Sequence, residues 1–171
     1  MSRYDSRQMP HVLDIVSHSA AQTVRIGHRL GELLGPGDTL LLYGDFGAGK
    51  THLTKGIAQG LGSDDMVNSP SFVLINEYRS GLAHRRAPIY HIDLYRIEDP
   101  AALVGIGLDD ALDGHGICVI EWAERLDALL PPEHLAIHLR HVSETKRSLR
   151  FEPHGQRAAD LIESLKRTAF A

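Results

Sequence analysis

Eight consecutive residues, Gly44-Asp45-Phe46-Gly47-Ala48-Gly49-Lys50-Thr51, fit the spacing G-x-x-x-x-G-K-[ST] at every fixed position. Each residue type in that pattern has a task. The glycines let the backbone curl until successive N–H groups converge on phosphate oxygens. A helix opening at Lys50 would add its positive dipole end at the same point. The Lys50 ammonium reaches outer phosphates as a point charge, and the Thr51 hydroxyl offers an oxygen to magnesium. The chemistry implied is the gripping of ATP or ADP phosphates with Mg2+ by the Gly44–Thr51 loop. The pattern gives binding and leaves the reaction open.

A carboxylate must complete such a metal site, and it usually stands at the end of a neighbouring strand. Two acids qualify. Ile117–Ile120 runs straight into Glu121, and Ile89–Ile92 runs into Asp93. Spacing does not rank them: one can hold magnesium while the other orients the attacking water or a substrate hydroxyl. The plainer reading of either is a solvated acid at a strand end.

The elements that must position these groups follow from periodicity. Thr39–Tyr43 (TLLLY) is a short apolar run, as in a strand buried on both faces, and it leads directly into the glycine-rich stretch. A helix starts near Lys50 and ends around Gly62. Before the strand, Val24, Ile26, Leu30, Leu33 and Leu34 recur at near-helical spacing, with Ser19 as N-cap and Gly35-Pro36-Gly37-Asp38 as the break. Asn68–Ser71 is a loop. Phe72–Tyr78 and Ile89–Leu94 read as strands joined by the polar link Arg79–Pro88, so a hairpin makes the sheet mixed. Short helical pieces over Pro100–Leu112, a strand at Ile117–Glu121 and a short helix after Trp122 come next. Strands at Leu135–Val142 and Ser148–Glu152 and a helix at Arg157–Phe170 complete the chain. Residues 1–11 read as a flexible tail and 12–171 as one α/β domain with a mixed, partly antiparallel sheet flanked by helices.

Composition narrows the function further. A chain of 171 residues with 43% hydrophobic and 23% charged residues suits one soluble globular domain. A net charge of −4 argues against a dedicated DNA or RNA binder, which carries a basic excess. No apolar run is long enough to cross a bilayer, and Met1–Pro10 lacks the apolar core of a secretory signal. The single cysteine, Cys118, sits inside an apolar run and fits a reducing cytoplasm. Among the 11 histidines, His134, His138 and His141 lie in an expected strand without carboxylate or thiol partners, which reads as a solvated face.

Taken in order, YGDFGAGKT (43–51), SPSF (69–72), HIDLYR (91–96) and VIEW (119–122) resemble the TsaE (formerly YjeE) family of bacterial ATPases, from about Ala20 to Arg150. That family acts in the threonylcarbamoyl modification of the adenosine beside the anticodon of certain tRNAs. The resemblance implies a P-loop NTPase fold and a catalytic set of Lys50, Asp93 and Glu121. It implies that Thr51 and Glu121 bind magnesium and that Asp93 is needed for hydrolysis. Ser69 and Ser71 would belong to a first switch, and Trp122 to a second. Tyr95 and Arg96 would contact a partner or close over phosphates; a solvated charge is the plainer reading of Arg96. The adenine would lie between Ala20–Thr23 and the turn near Lys146–Arg147. The resemblance further implies slow hydrolysis alone, cytoplasmic TsaB and TsaD proteins as partners, and only indirect contact with tRNA. Two departures are small: Ser71 replaces the usual threonine, and Phe46 a common leucine.

Two other functions share the phosphate loop. A small-molecule kinase would need an acceptor pocket and an arginine-bearing lid, for which Arg85-Arg86 is the one candidate. A non-catalytic nucleotide switch would control assembly by binding alone. A GTPase would carry an N-K-x-D segment, which is not in the sequence.

Overall fold

A strand covered on both faces is apolar along its length, and the computed structural model, which describes residues 11–70 and 74–169, places TLLLY in the middle of a seven-stranded sheet. In chain order the elements begin with β1 (Leu13–Ser17), α1 (Ala20–Gly31), β2 (Thr39–Tyr43) and α2 (Lys50–Gly60). They continue with β3 (Ile75–Arg79), β4 (Pro88–Asp93), α3 (Leu108–Ala111) and β5 (Ile117–Glu121). The last are β6 (His134–His141), β7 (Arg147–His154) and α4 (Gln156–Ala169), and short 3-10 segments cover Leu82–His84, Pro100–Gly105 and Ala123–Leu129. The strand order is β1-β7-β6-β2-β5-β4-β3. The inner strands β6, β2, β5 and β4 run parallel, whereas β3, β7 and β1 join antiparallel at the flanks. This is the P-loop α/β domain with a mixed sheet expected from the sequence.

Alternation along the central strands divides the core in two. Leu40 and Leu42 of β2, with Val119 of β5, pack beneath α1, α2 and α4 through residues such as Leu30, Leu53, Ile57 and Ile162. Leu41, Cys118 and Ile120 face the other way, against Leu103, Leu108 and Leu126. Cys118 is therefore a buried core residue, and burial pushes its thiol up to about 12, which leaves it inert.

The helices α1 and α2 meet backbone to backbone. Gly27 and Gly31 of α1 face Gly56 and Gly60 of α2, and each approaches the other helix too closely to carry a side chain. A Cβ at Gly56 would lie 2.0 Å from the Val24 carbonyl oxygen, and one at Gly31 would lie 2.2 Å from that of Ile57. The two helices are thus held at a fixed separation, one leading from each end of the site.

Three differences from the sequence reading bear on the sheet. β1 was not expected: of its three inward residues, Leu13, Ile15 and Ser17, only two are apolar, too few to display a hydrophobic period, and the strand exists by pairing with β7. The described part of the expected strand Phe72–Tyr78 runs from Ile75 to Arg79; Ser71 and Phe72 lie outside the described residues, as does most of the expected tail. The last strand extends past Glu152 to His154, carried by its register with β6.

Candidate functional site

The parallel strands β2, β5 and β4 end at one rim of the sheet, and the groups read as chemical in the sequence meet there. In the ladder, Leu42 pairs with Glu121 and Asp93 pairs with Glu121, so the two acids stand side by side at neighbouring strand ends. A cavity of about 600 Å3 opens along this rim. Its walls are Phe46–His52 of the glycine-rich loop, Asp93, Glu121, Trp122 and Ser69 on one side, and His18–Ala20, Thr23, Glu144, Thr145 and Arg147 on the other. That volume suits a drug-sized or nucleotide-sized ligand.

The loop takes its shape from its glycines. Gly47 and Gly49 have φ of 72° and 103°, in the left-handed region that L side chains rarely adopt. Gly49 is also the N-cap of α2 and brings no side chain to cap its first turn. The contrast with α1 is direct: there Ser19 accepts a hydrogen bond from Gln22 N at 3.1 Å, and the Gln22 side chain accepts one from His18 N at 2.7 Å. The first-turn amides of α2 are left to a ligand, as an anion-binding helix start requires.

Lys50 is 6% exposed. Its ammonium donates to the Gly44 carbonyl and, at 3.1 Å, to the Asp45 carbonyl, and it lies 4.4 Å from the centre of the Trp122 ring. Burial pushes the lysine pKa down, against the pull of Glu121, Glu124, Asp93 and Asp45. A desolvated ammonium gains from an anion brought beside it. Thr51 Oγ1 lies 2.8 Å from Ser69 Oγ and donates to Glu121 Oε1 at 3.5 Å. Glu121, only 3% exposed, also accepts from His91 Nε2 at 2.8 Å. Asp93 accepts from the Tyr95 amide at 2.9 Å, and burial, with Glu121 adding to it, pushes its carboxyl above the usual range.

An aromatic cluster covers this end of the cavity. Phe46, 64% exposed at the loop tip, meets Tyr95 edge-on at 4.6 Å and Trp122 at 5.1 Å, and Tyr95 lies 5.0 Å from Trp122. Trp122 has φ of 56°, a conformation costly for a bulky residue, at about 1–3 kcal/mol. Strand β5 breaks there so sharply that the indole turns back over Lys50.

On the opposite wall, where the base was expected, Ala20 lines the cavity, while Lys146 does not; its neighbours Glu144, Thr145 and Arg147 do. In the turn between β6 and β7, Lys146 supplies a carbonyl to the Val142 amide. The Arg147 guanidinium donates to Gly47 O at 3.3 and 3.2 Å and to the carbonyls of Ser143, Glu144 and Lys146, bracing the phosphate loop. Arg96 is exposed in the turn after β4 and outside the cavity wall, as is Tyr95. Ser71 lies outside the described residues. His138 stacks on Tyr43 at 4.7 Å and His134 on His154 at 4.3 Å, and no group of three or more His, Cys, Asp or Glu residues gathers as a metal cluster among the described residues. Arg85 and Arg86 lie away from the cavity, so neither forms a lid over it here.

Sequence reasoning missed His91 and Tyr78. Strand parity held the clue, because His91 lies two residues before Asp93 and shares its face of β4.

Known proteins resemble this chain over most of its length. The family model described as threonylcarbamoyl adenosine biosynthesis protein TsaE matches residues 17–149. The tRNA threonylcarbamoyladenosine biosynthesis protein TsaE of Bacillus subtilis is 44% identical over 132 residues, covering 77% of this chain and 80% of that one. Its namesake from Treponema pallidum is 39% identical over 134 residues, covering 78% and 96%. A crystal structure of Bacillus subtilis YdiB superposes with a TM-score of 0.80 at 35% identity, covering 95% of this chain and 99% of that one. Among the described residues no helix is long and apolar enough to cross a membrane. With a family model matched over residues 17–149 and relatives at 44% and 39% identity over more than three quarters of the chain, the chain belongs to the TsaE family.

Proposed function

We propose that this protein binds ATP with Mg2+ and hydrolyses it in support of threonylcarbamoyl modification of the adenosine next to the anticodon in tRNA. The observation that carries the reading is the convergence of Lys50, Thr51, Glu121 and Asp93 on one cavity wall. The donors suit magnesium, because Thr51 Oγ1 and Glu121 Oε1 are both hard oxygens and lie 3.5 Å apart. Two protein oxygens are the usual complement for a magnesium whose other ligands are phosphates and water. Bound there, magnesium supplies neutralisation of charge on the phosphate oxygens.

The remaining roles belong to the chain. The loop amides and Lys50 hold the phosphates, with the Lys50 ammonium exchanging the Gly44 and Asp45 carbonyls for them. Asp93 orients the attacking water; a carboxylate with a raised pKa is the better proton acceptor. Thr51 and Glu121 are the metal ligands. Ala20, Thr23 and the Glu144–Arg147 turn receive the base.

Hydrolysis by the isolated chain is slow. Lys50 and Arg147 are the lysine and arginine on the described cavity wall, and Arg147 is committed to four carbonyls. A partner that organises the site would accelerate turnover. The partners are TsaB and TsaD in the cytoplasm, and tRNA is reached only through them, in keeping with the net charge of −4.

The test is reconstitution with those two proteins, counting modified tRNA per TsaD over many cycles and phosphate released from ATP with no acceptor added. Addition of this chain should lift modification beyond a single cycle, and Lys50→Ala should not. Equal multiple turnover without the chain, or with Lys50→Ala, would overturn the reading.

A further inference from the structure

His91 and Tyr78 lie in the core behind the cavity, and neither lines it. His91 is fully buried and Tyr78 is 6% exposed, yet both carry polar atoms in positions where an apolar residue such as Ile89 is also accommodated. Such groups cost stability unless each is partnered, and here each is. His91 Nε2–H donates to Glu121 Oε1 at 2.8 Å. His91 Nδ1 lies 3.1 Å from the Tyr78 hydroxyl, which in turn lies 3.0 Å from the Asn68 carbonyl oxygen. The hydroxyl has one proton to share between those two neighbours, and Asn76 Nδ2 also donates to the Asn68 carbonyl, at 3.2 Å. The residue after Asn68 closes the path, because Ser69 Oγ lies 2.8 Å from Thr51 Oγ1, itself 3.5 Å from Glu121 Oε1. The contacts form a ring: Glu121, His91, Tyr78, Asn68, Ser69, Thr51.

We propose that His91 and Tyr78 are positioning residues, which fix the Glu121 carboxylate and tie it to the Asn68–Ser69 segment so that acid and segment act on Thr51 as one unit. The inference rests on the proposed role of Thr51 and Glu121 as magnesium ligands. A histidine that merely filled space would have no need of both ring nitrogens. Partners of this kind, which hold a metal ligand from behind, typically change metal affinity or activity by about 10–100-fold when removed.

The two ends of the relay can be cut separately. His91→Gln retains an amide N–H near the position of Nε2 and loses the Nδ1 contact; His91→Asn keeps a polar atom near Nδ1 and loses reach to Glu121. Binding of a fluorescent ATP analogue is measured against magnesium concentration and again in EDTA. His91→Asn should raise the magnesium needed for half-maximal binding by about tenfold or more. His91→Gln should stay within about threefold of the parent, and binding in EDTA should be alike in all three. Tyr78→Phe should leave the magnesium requirement near that of the parent. It should nevertheless speed hydrogen exchange at the Ser69 amide about threefold to tenfold, with exchange in β2 unchanged. An unaltered magnesium requirement in His91→Asn, equal damage from the glutamine, or unaltered Ser69 exchange in Tyr78→Phe would each overturn the proposal. If His91→Asn does not fold, the Ser69 exchange decides. A parent protein whose nucleotide binding ignores magnesium would instead remove the metal reading and, with it, this inference.

Discussion

Replacing Gly56 with alanine should destabilise this protein, although alanine is the better helix former. In an exposed helix the exchange gains about 1 kcal/mol. At Gly56 the new Cβ would lie 2.0 Å from the Val24 carbonyl oxygen and 2.9 Å from His28 N, all backbone atoms that cannot swing aside. A carbon rests against a carbonyl oxygen at about 3.3 Å, so α1 and α2 would have to part by roughly 1.3 Å. Overpacking of this severity costs about 3 kcal/mol, leaving a net loss of about 2 kcal/mol. For a domain of this size that lowers the melting temperature by roughly 4–8 °C. The separation would also move Ala20 and Thr23 away from Lys50 and Thr51, because the helices carry opposite walls of the cavity. Nucleotide affinity should therefore fall with stability. Gly105→Ala is the control: nothing lies within 4 Å of its Cβ and its φ is not positive, so its stability should stay within about 0.5 kcal/mol of the parent. Thermal and urea unfolding of the two variants side by side is the assay. A Gly56→Ala protein that melts at or above the parent temperature would refute the close-contact reasoning.

Lys50→Ala and Thr51→Ala should each weaken Mg-ATP binding at least tenfold by calorimetry, the loss expected for charged hydrogen bonds worth about 1.5–3 kcal/mol; unchanged affinity would count against the site. Asp93→Asn should slow phosphate release more than it weakens ATP binding, and it should also stabilise the fold. Because burial raises the Asp93 pKa, the folded state holds that proton more tightly, and stability is lost as pH rises from the unfolded value through the raised one. The asparagine variant should thus melt higher than the parent at pH 7, with the gap closing in acid; a lower melting temperature at pH 7 would contradict the sign. Trp122 is the sole tryptophan, and Lys50 sits over its ring. Emission should change on titration with Mg-ATP and stay flat in Lys50→Ala; identical responses would sever the link between ammonium and indole.

The phosphate loop, its strand and its helix could be read from sequence because all three are local: an apolar run, glycines at fixed spacing, and Lys-Thr at the helix start. Glu121 and Asp93 could be read as candidates because each ends an apolar run. Their adjacency could not, since it depends on β4 and β5 pairing in parallel register. β1 escaped because an edge strand of five residues whose inward positions are Leu13, Ile15 and the polar Ser17 shows no hydrophobic period. The turn on the far wall was found only approximately: the stretch near Lys146–Arg147 was named, and Arg147 lines the cavity with Glu144 and Thr145 whereas Lys146 does not, because which residues of a turn face inward is set by tertiary contacts. His91 went unread for a different reason. A histidine inside a strand has no local signature of its partner, and Glu121 is 30 positions away.

The brace that Arg147 provides for Gly47 spans 100 positions of sequence. During synthesis the glycine-rich loop therefore leaves the ribosome long before the residue that steadies it. The sheet imposes the same delay, because β6, which flanks β2, and β7, which carries the guanidinium, are the last strands made. A nascent chain ending before β6 would display the whole phosphate-binding signature and still lack a formed pocket. Competence for nucleotide thus arrives in one late step, as the final hairpin docks.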